Sequence, residues 1–252
     1  MSIAMAFKGI DGIVLATDSR LSKIKADNYI IGQENSSIKL WKVNDSIGCT
    51  ALCSDEEYGY WLIDLLVKSS KNENDQGLDE SCERYIQIIK NDIKKRSILG
   101  DPQIDDDNLN KHLQSRGFYL AILLAGYDIS GQYGICEILF PVPSSLHLSP
   151  HKVKNSYEIH GQKDFNTYWI SKLFLQKQLD QGLSIEAIKK LIVFLITETS
   201  CYSGTVGGDI QMAIITKDKG YEPIGMDKIE PLQAEISKMA GFKDISDWIC
   251  QA

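Results

Sequence analysis

The chain has 252 residues, 43% hydrophobic and 24% charged, with a formal net charge of -7. That balance is enough to bury a sizeable core and excludes wholesale disorder. Arginine occurs only at Arg20, Arg84, Arg96 and Arg116, and no basic stripe is visible, which argues against a reader of nucleic-acid backbones.

Cysteine occurs at Cys49, Cys53, Cys82, Cys136, Cys201 and Cys250, with no C-x-x-C pair. Most lie in apolar runs, so they read as small buried hydrophobes in a reducing cytosol, not as disulfides or a zinc site. The opening MSIAMAFKGIDG has no basic region and no long apolar run, unlike a signal peptide. The longest apolar stretch, Ile188 to Ile196, carries two lysines and is too short to span a bilayer. A cytoplasmic protein with no membrane partner is expected.

In chain order, Ile3 to Phe7 and Ile13 to Ala16 flank the turn Gly9-Ile10-Asp11-Gly12 and predict a hairpin. Tyr29 to Ile31, Ile38 to Val43 and Ile47 to Cys53 read as further strands. The period then changes. Ser54 with Glu57 has the form of a capping box, and Tyr58, Leu62, Leu65 and Leu66 share a helical face. A second helix is expected over Glu80 to Ser97, with Tyr85, Ile88, Ile89 and Ile93 in its stripe.

Residues 99–116 are polar, with the cluster Asp105-Asp106-Asp107, and read as a part-helical surface insertion whose charges are solvated and hold no metal. Strands resume at Phe118 to Ala125 and Ile135 to Val142, across the turn Gly131 to Gly134. After a proline-marked loop, Tyr157 to Ile159 is a short strand. Helices follow over Asp164 to Gln181 and Ser184 to Thr199, then strands over Ile210 to Thr216 and Tyr221 to Ile224, and a helical tail over 231–252.

Helix pairs placed between groups of strands each need a sheet to cover, and each sheet needs its second face buried. Two sheets packed on each other with helices outside both, an αββα sandwich, meets that demand. No repeat or clean boundary divides it, so residues 1–252 are expected to form a single domain.

Ser2 to Phe7, followed by Asp11-Gly12-Ile13-Val14-Leu15-Ala16-Thr17-Asp18-Ser19-Arg20, resembles the opening of proteasome β-subunits, members of the N-terminal-nucleophile hydrolases. Ser37-Ile38-Lys39-Leu40 is similar to the family's lysine-bearing strand, Ile47 to Ala51 to the next strand, and Gly207-Gly208-Asp209 through Thr216 to its late glycine-rich strand. The resemblance covers most of the chain, most loosely over 71–116. No helix precedes the first strand, which favours the β type over the α type.

The resemblance implies that Ser2 is the nucleophile once Met1 is removed, with Lys39 as the cation beside it and Asp18 orienting Lys39. The hydroxyl attacks an amide carbonyl, and the freed α-amine, with a reference pKa near ~8, takes its proton. Backbone N–H groups near Cys53 would form the oxyanion hole.

This chain departs from the family at four places. Ser2 replaces threonine and lacks the methyl group that fixes the hydroxyl rotamer. Cys53 stands where the family has glycine, which narrows substrate access. Ser203 stands near a usual acid, and His160 where a serine supports the N-terminus. His160 reads as a base approaching Ser2 or, more simply, as packed at a strand end. Gly204 and Gly207-Gly208 precede a strand, not a helix, so they form no phosphate loop.

A threonine-peptidase-type amidohydrolase acting on peptides or unfolded protein is therefore expected, without metal or organic cofactor, in a homo- or hetero-oligomeric ring. A catalytically inactive ring-assembly subunit is the main alternative, and a small-molecule amidase the weaker one.

Overall fold

The computed structural model describes residues 2–24, 30–70, 77–96, 104–142, 151–161, 163–172, 175–239 and 241–251. Apolar alternation at the start gives β1 (Ala4–Lys8) and β2 (Ile13–Asp18), closed by the turn in which Gly9 N donates to Gly12 O at 2.7 Å. In register, Ala4 faces Thr17 and Lys8 faces Ile13. Next come the hairpin β3 (Leu21–Ile24) and β4 (Ile30–Glu34), then β5 (Leu40–Lys42) and β6 (Ile47–Cys53). Tyr29 lies outside the described residues.

The strand expected from Ile38 begins only at Leu40, which leaves Lys39 in the loop before it. Helix α1 (Glu56–Ser70) starts after Asp55, whose carboxylate accepts from Tyr58 N at 3.1 Å. The cap is therefore not Ser54, whose Oγ accepts from Tyr119 N instead. Helix α2 (Leu78–Arg96) follows, then α3 (Asp106–Ser115), capped by Asp105. The described part of the expected insertion is thus largely this helix, and it buries Leu109 and Leu113 in the core. Strands β7 (Leu120–Tyr127), β8 (Tyr133–Phe140), β9 (His151–Lys152) and β10 (Tyr157–His160) come next.

The helix expected over Asp164 to Gln181 is two, α4 (Lys163–Lys172) and α5 (Gln176–Gln181). Helix α6 (Ile185–Tyr202) is capped by Ser184 Oγ, which accepts from Ala187 N. Strands β11 (Ile210–Thr216) and β12 (Gly220–Ile224) lead to α7 (Met226–Ile236) and α8 (Phe242–Cys250). The tail helix begins five residues before Pro231, which lies inside it. No helix among the described residues is long and apolar enough to cross a membrane.

Ten of the strands form two five-stranded antiparallel sheets, ordered β10-β1-β2-β11-β12 and β5-β6-β7-β8-β9, and β3 and β4 pair by themselves. Side chains alternate faces along each strand. Met5 and Phe7 of β1 point outward into a core built with α6, where Ile188, Leu191, Ile192 and Phe194 are fully buried. Ala4 and Ala6 point the other way, into a layer shared with Leu15, Ala121, Leu123 and Ala125. The alanines let the sheets approach, and the larger chains fill the space between them. A third core, with Leu62, Leu66, Tyr85 and Ile89, joins the second sheet to α1 and α2. Each such fully buried large side chain stabilises the fold by roughly 1.5–3 kcal/mol. The layer order is helices, sheet, sheet, helices, as expected.

Candidate active site

Ser2 sits at the head of β1, and three backbone contacts fix the segment there. Ile3 N donates to Asp18 Oδ1 at 3.1 Å, and Thr17 Oγ1 donates to Ile3 O at 2.7 Å. The third contact comes from Gly161, just past β10, where φ is 90° and a Cβ would fall 1.8 Å from Ser2 O. Only glycine lets the backbone pass so close.

Lys39 is delivered from the opposite side. Its N–H donates to Gln211 Oε1 of β11 at 2.9 Å, and Gln211 Nε2 donates to Ser37 O at 2.6 Å, so one amide holds the loop at both ends. Lys39 Nζ then donates to Ser2 Oγ at 2.7 Å, to Asp18 Oδ1 at 3.2 Å and to Arg20 O. An ammonium has three protons, and all three have an acceptor here. Asp18 Oδ2 accepts from Gly207 N at 3.0 Å.

Asp18 is fully buried and Lys39 is 5% exposed. Burial pushes the Asp18 carboxyl above its ordinary 3.8, opposed by Lys39 and by the N–H groups of Ile3 and Gly207. Burial likewise pushes Lys39 below its ordinary 10.5, opposed by Asp18. Each charge therefore depends on the other to persist inside the protein.

Arg20 ties the network together, a role the sequence reading did not assign. Its carbonyl accepts from Ser2 Oγ at 3.1 Å as well as from Lys39. Its guanidinium donates to Val206 O at 3.1 Å and Gly204 O at 3.3 Å, and Nε donates to Asn35 Oδ1 at 2.9 Å. That grip holds the loop from which Gly207 reaches Asp18. At Gly207 φ is 152°, and a Cβ would lie 2.5 Å from Arg20 Cζ. Ser203 ends α6 with its hydroxyl 2.9 Å from Thr205 Oγ1, and further along the loop the Gly207 N–H reaches Asp18.

Beside Ser2 lies a pocket of about 630 Å³, walled by Leu21, Trp41, Leu52, Tyr60 and Tyr119, with Glu56 at its edge. Cys53 lines it at the end of β6. Its side chain leans on α1 at Gly59, where a Cβ would come 2.9 Å from Cys53 Cβ, so the extra bulk is taken up by a missing side chain opposite. Burial pushes the Cys53 thiol up to about 11, which keeps it protonated at neutral pH. The β5 pairing to β6 stops at Thr50, so Ala51 to Cys53 are paired only with β7 and present their other edge to the pocket.

His160 stands opposite Ala4 across the β1–β10 pair, 8% exposed, with Nε2 2.8 Å from Glu137 Oε1 of β8. It is packed at the end of β10. Met1 lies outside the described residues.

The solved structure of the Gly-1 mutant of Anbu from Hyphomicrobium sp. strain MC1, a bacterial proteasome-like protein, aligns with a TM-score of 0.60. The alignment covers 94% of this chain and 95% of that one, at 13% identity. The chain has the N-terminal-nucleophile fold. No protein-family model matches the chain, and no curated protein matches its sequence. The likeness to Anbu extends to the fold, and the arrangement around Ser2 rests on the distances given above.

Proposed function

We propose that this chain is an amide-cleaving N-terminal-nucleophile hydrolase of the proteasome β type, with Ser2 as nucleophile after loss of Met1. The observation that carries the reading is the 2.7 Å contact of Lys39 Nζ with Ser2 Oγ, backed by buried Asp18. In the reaction, Ser2 Oγ forms a bond to the carbonyl carbon of the substrate. Its proton passes to the freed α-amine of Ser2, and the Lys39 ammonium stabilises the oxygen as charge develops. Collapse expels the substrate amine, which takes the proton from the Ser2 amine and leaves an ester on Ser2. Water then attacks that ester, the bond to Ser2 Oγ breaks, the substrate's carboxylic acid leaves, and Oγ takes a proton from the attacking water to regain its hydroxyl.

A peptide or unfolded-protein segment fits the open edge of Ala51 to Cys53 as an added strand, with its side chain in the apolar pocket. The backbone N–H at Cys53 is the proposed oxyanion donor, since the neighbouring Ser54 N–H is bound to Tyr119 O at 2.8 Å. Assembly into rings through the helical faces belongs to the same proposal.

A catalytically inactive ring subunit is the second reading. Cys53 at the pocket edge and Ser203 turned to Thr205 favour it. Hydrolysis of fluorogenic peptides with an apolar residue before the scissile bond tests the choice. Activity lost in Ser2→Ala and kept in Ser2→Thr supports the hydrolase. Equal turnover by wild type and Ser2→Ala, or none by wild type, overturns it.

A further inference from the structure

The two halves of the proposed active site belong to different sheets. Ser2 precedes β1 of the first sheet, and the pocket edge from Ala51 to Cys53 ends β6 of the second. The distance from the Ser2 hydroxyl to the proposed oxyanion donor is therefore a distance between sheets. Reacting groups need such a distance held to within about 0.5 Å. The layer between the sheets at this level holds Ala4, Ala6, Ala121 and Leu123. Apolar contact of that kind is non-directional and fixes no orientation.

A polar contact crosses the same layer. His160 Nε2 of β10 lies 2.8 Å from Glu137 Oε1 of β8, with the two side chains 9% and 10% exposed. The register places this contact on a line through both sheets. Ala4 of β1 pairs with His160, Glu137 pairs with Leu123 of β7, and Leu123 pairs with Thr50 of β6. The line begins in the strand that follows Ser2 and ends beside Ala51, in the strand that bounds the pocket.

Gly161 makes that contact matter for the chemistry. It follows His160, its φ is 90°, and a Cβ there would fall 1.8 Å from Ser2 O. No side chain cushions the approach, so a shift at the end of β10 passes directly to the Ser2 backbone. A polar pair at this depth contributes little net stability, because desolvation offsets the attraction. What it contributes is direction, a set N···O separation between strands of different sheets.

We propose that His160 is a positioning residue for Ser2, and that its contact with Glu137 sets the spacing between the nucleophile and the substrate edge. The proposal rests on the assignment of Ser2 as nucleophile. Glu137 has interactions besides this one, so the test varies His160. Losing the contact lowers kcat and leaves KM nearly unchanged, since the pocket walls themselves are untouched.

Two amides that differ in reach make the test. Glutamine carries an amide N–H about as far from the backbone as the Nε2 of histidine, and asparagine carries the same group one methylene short. In the full chain, kcat and KM for a fluorogenic peptide are measured for wild type, His160→Gln and His160→Asn. Each kcat is divided by the fraction of chains that a β-lactone acylates at Ser2, which removes the effect of misfolded protein. His160→Gln should stay within about threefold of wild type, and His160→Asn should lose roughly 10- to 100-fold in kcat with KM within about twofold. Should circular dichroism show His160→Asn unfolded, His160→Leu replaces it as the variant without reach, with the same loss expected. A wild type that is not acylated at Ser2, or that turns over no peptide, overturns the nucleophile assignment and this proposal with it. With an active wild type, the positioning role alone is overturned by an equal normalised kcat in the variant without reach, by a loss confined to KM, or by a His160→Gln as slow as that variant.

Discussion

At the level of Ala4, β1 has Thr17 on one side and His160 on the other, and a buried polar cluster lies on each flank. On the Thr17 side, one carboxylate and one ammonium are matched, and each proton of Lys39 has an acceptor. On the His160 side, Glu137, Glu158 and His160 meet, with His160 Nε2 2.8 Å from Glu137 Oε1. Burial alone therefore does not define a site. A matched pair is a preorganised device that loses badly when either member is removed.

The largest expected effects break the matched side. Lys39→Met removes the cation beside Ser2 Oγ and should slow peptide hydrolysis by about 10³-fold, measured as kcat/KM. Asp18→Asn leaves the Lys39 ammonium buried without its counter-charge and should cost about 3–5 kcal/mol in urea unfolding. The double variant Asp18→Asn with Lys39→Met should cost less than the sum of the two singles, because neither charge is then stranded. Additive losses would show that the pair is not coupled.

Gly161→Ala is a smaller blow from the other flank. Its Cβ would strike Ser2 O, and its φ of 90° disfavours any side chain. A loss of about 1–3 kcal/mol in stability is expected, together with reduced activity from a displaced Ser2.

The smallest effect is in pH. Burial holds Lys39 below 10.5 in the folded chain, so the unfolded chain binds that proton more tightly. Stability at this site then rises as pH climbs from the folded value toward 10.5. Urea melts at pH 7.5 and 9.5 should show wild type gaining on Lys39→Met. The Asp18 shift has the opposite sense, since its folded value lies above 3.8, and its stabilising contribution is lost as pH rises through that value. Its effect therefore belongs to the acid limb.

The sequence made the β1–β2 hairpin legible because alternation and the Gly9–Gly12 turn are local signals. The strand before β12 was legible for the same reason. Ser2, Asp18 and Lys39 were legible through the resemblance to proteasome β-subunits, Ser2 and Asp18 in the opening motif and Lys39 in Ser37 to Leu40, and the structure brings them together. Gly161, Gly207 and Arg20 were not, since each acts by a backbone approach across strands whose pairing no local pattern encodes. The same holds for the meeting of Glu137 and Glu158 with His160, since β8 lies inside the second sheet between β7 and β9 and faces the edge strand β10 across the layer between the sheets. The boundary at Leu40 was missed because Ile38 continues the apolar run, yet it is 59% exposed and lines the pocket. The split between α4 and α5 was likewise invisible in an uninterrupted helical pattern.

The central claim is that the Ser2 hydroxyl is activated by its neighbours. Intact mass after incubation with a β-lactone tests it most directly. The chain should first show the loss of Met1, then gain one acyl group that maps to Ser2 and is absent in both Ser2→Ala and Lys39→Met. A chain that keeps Met1, or that stays unmodified under conditions that acylate an active N-terminal-nucleophile enzyme, would contradict it.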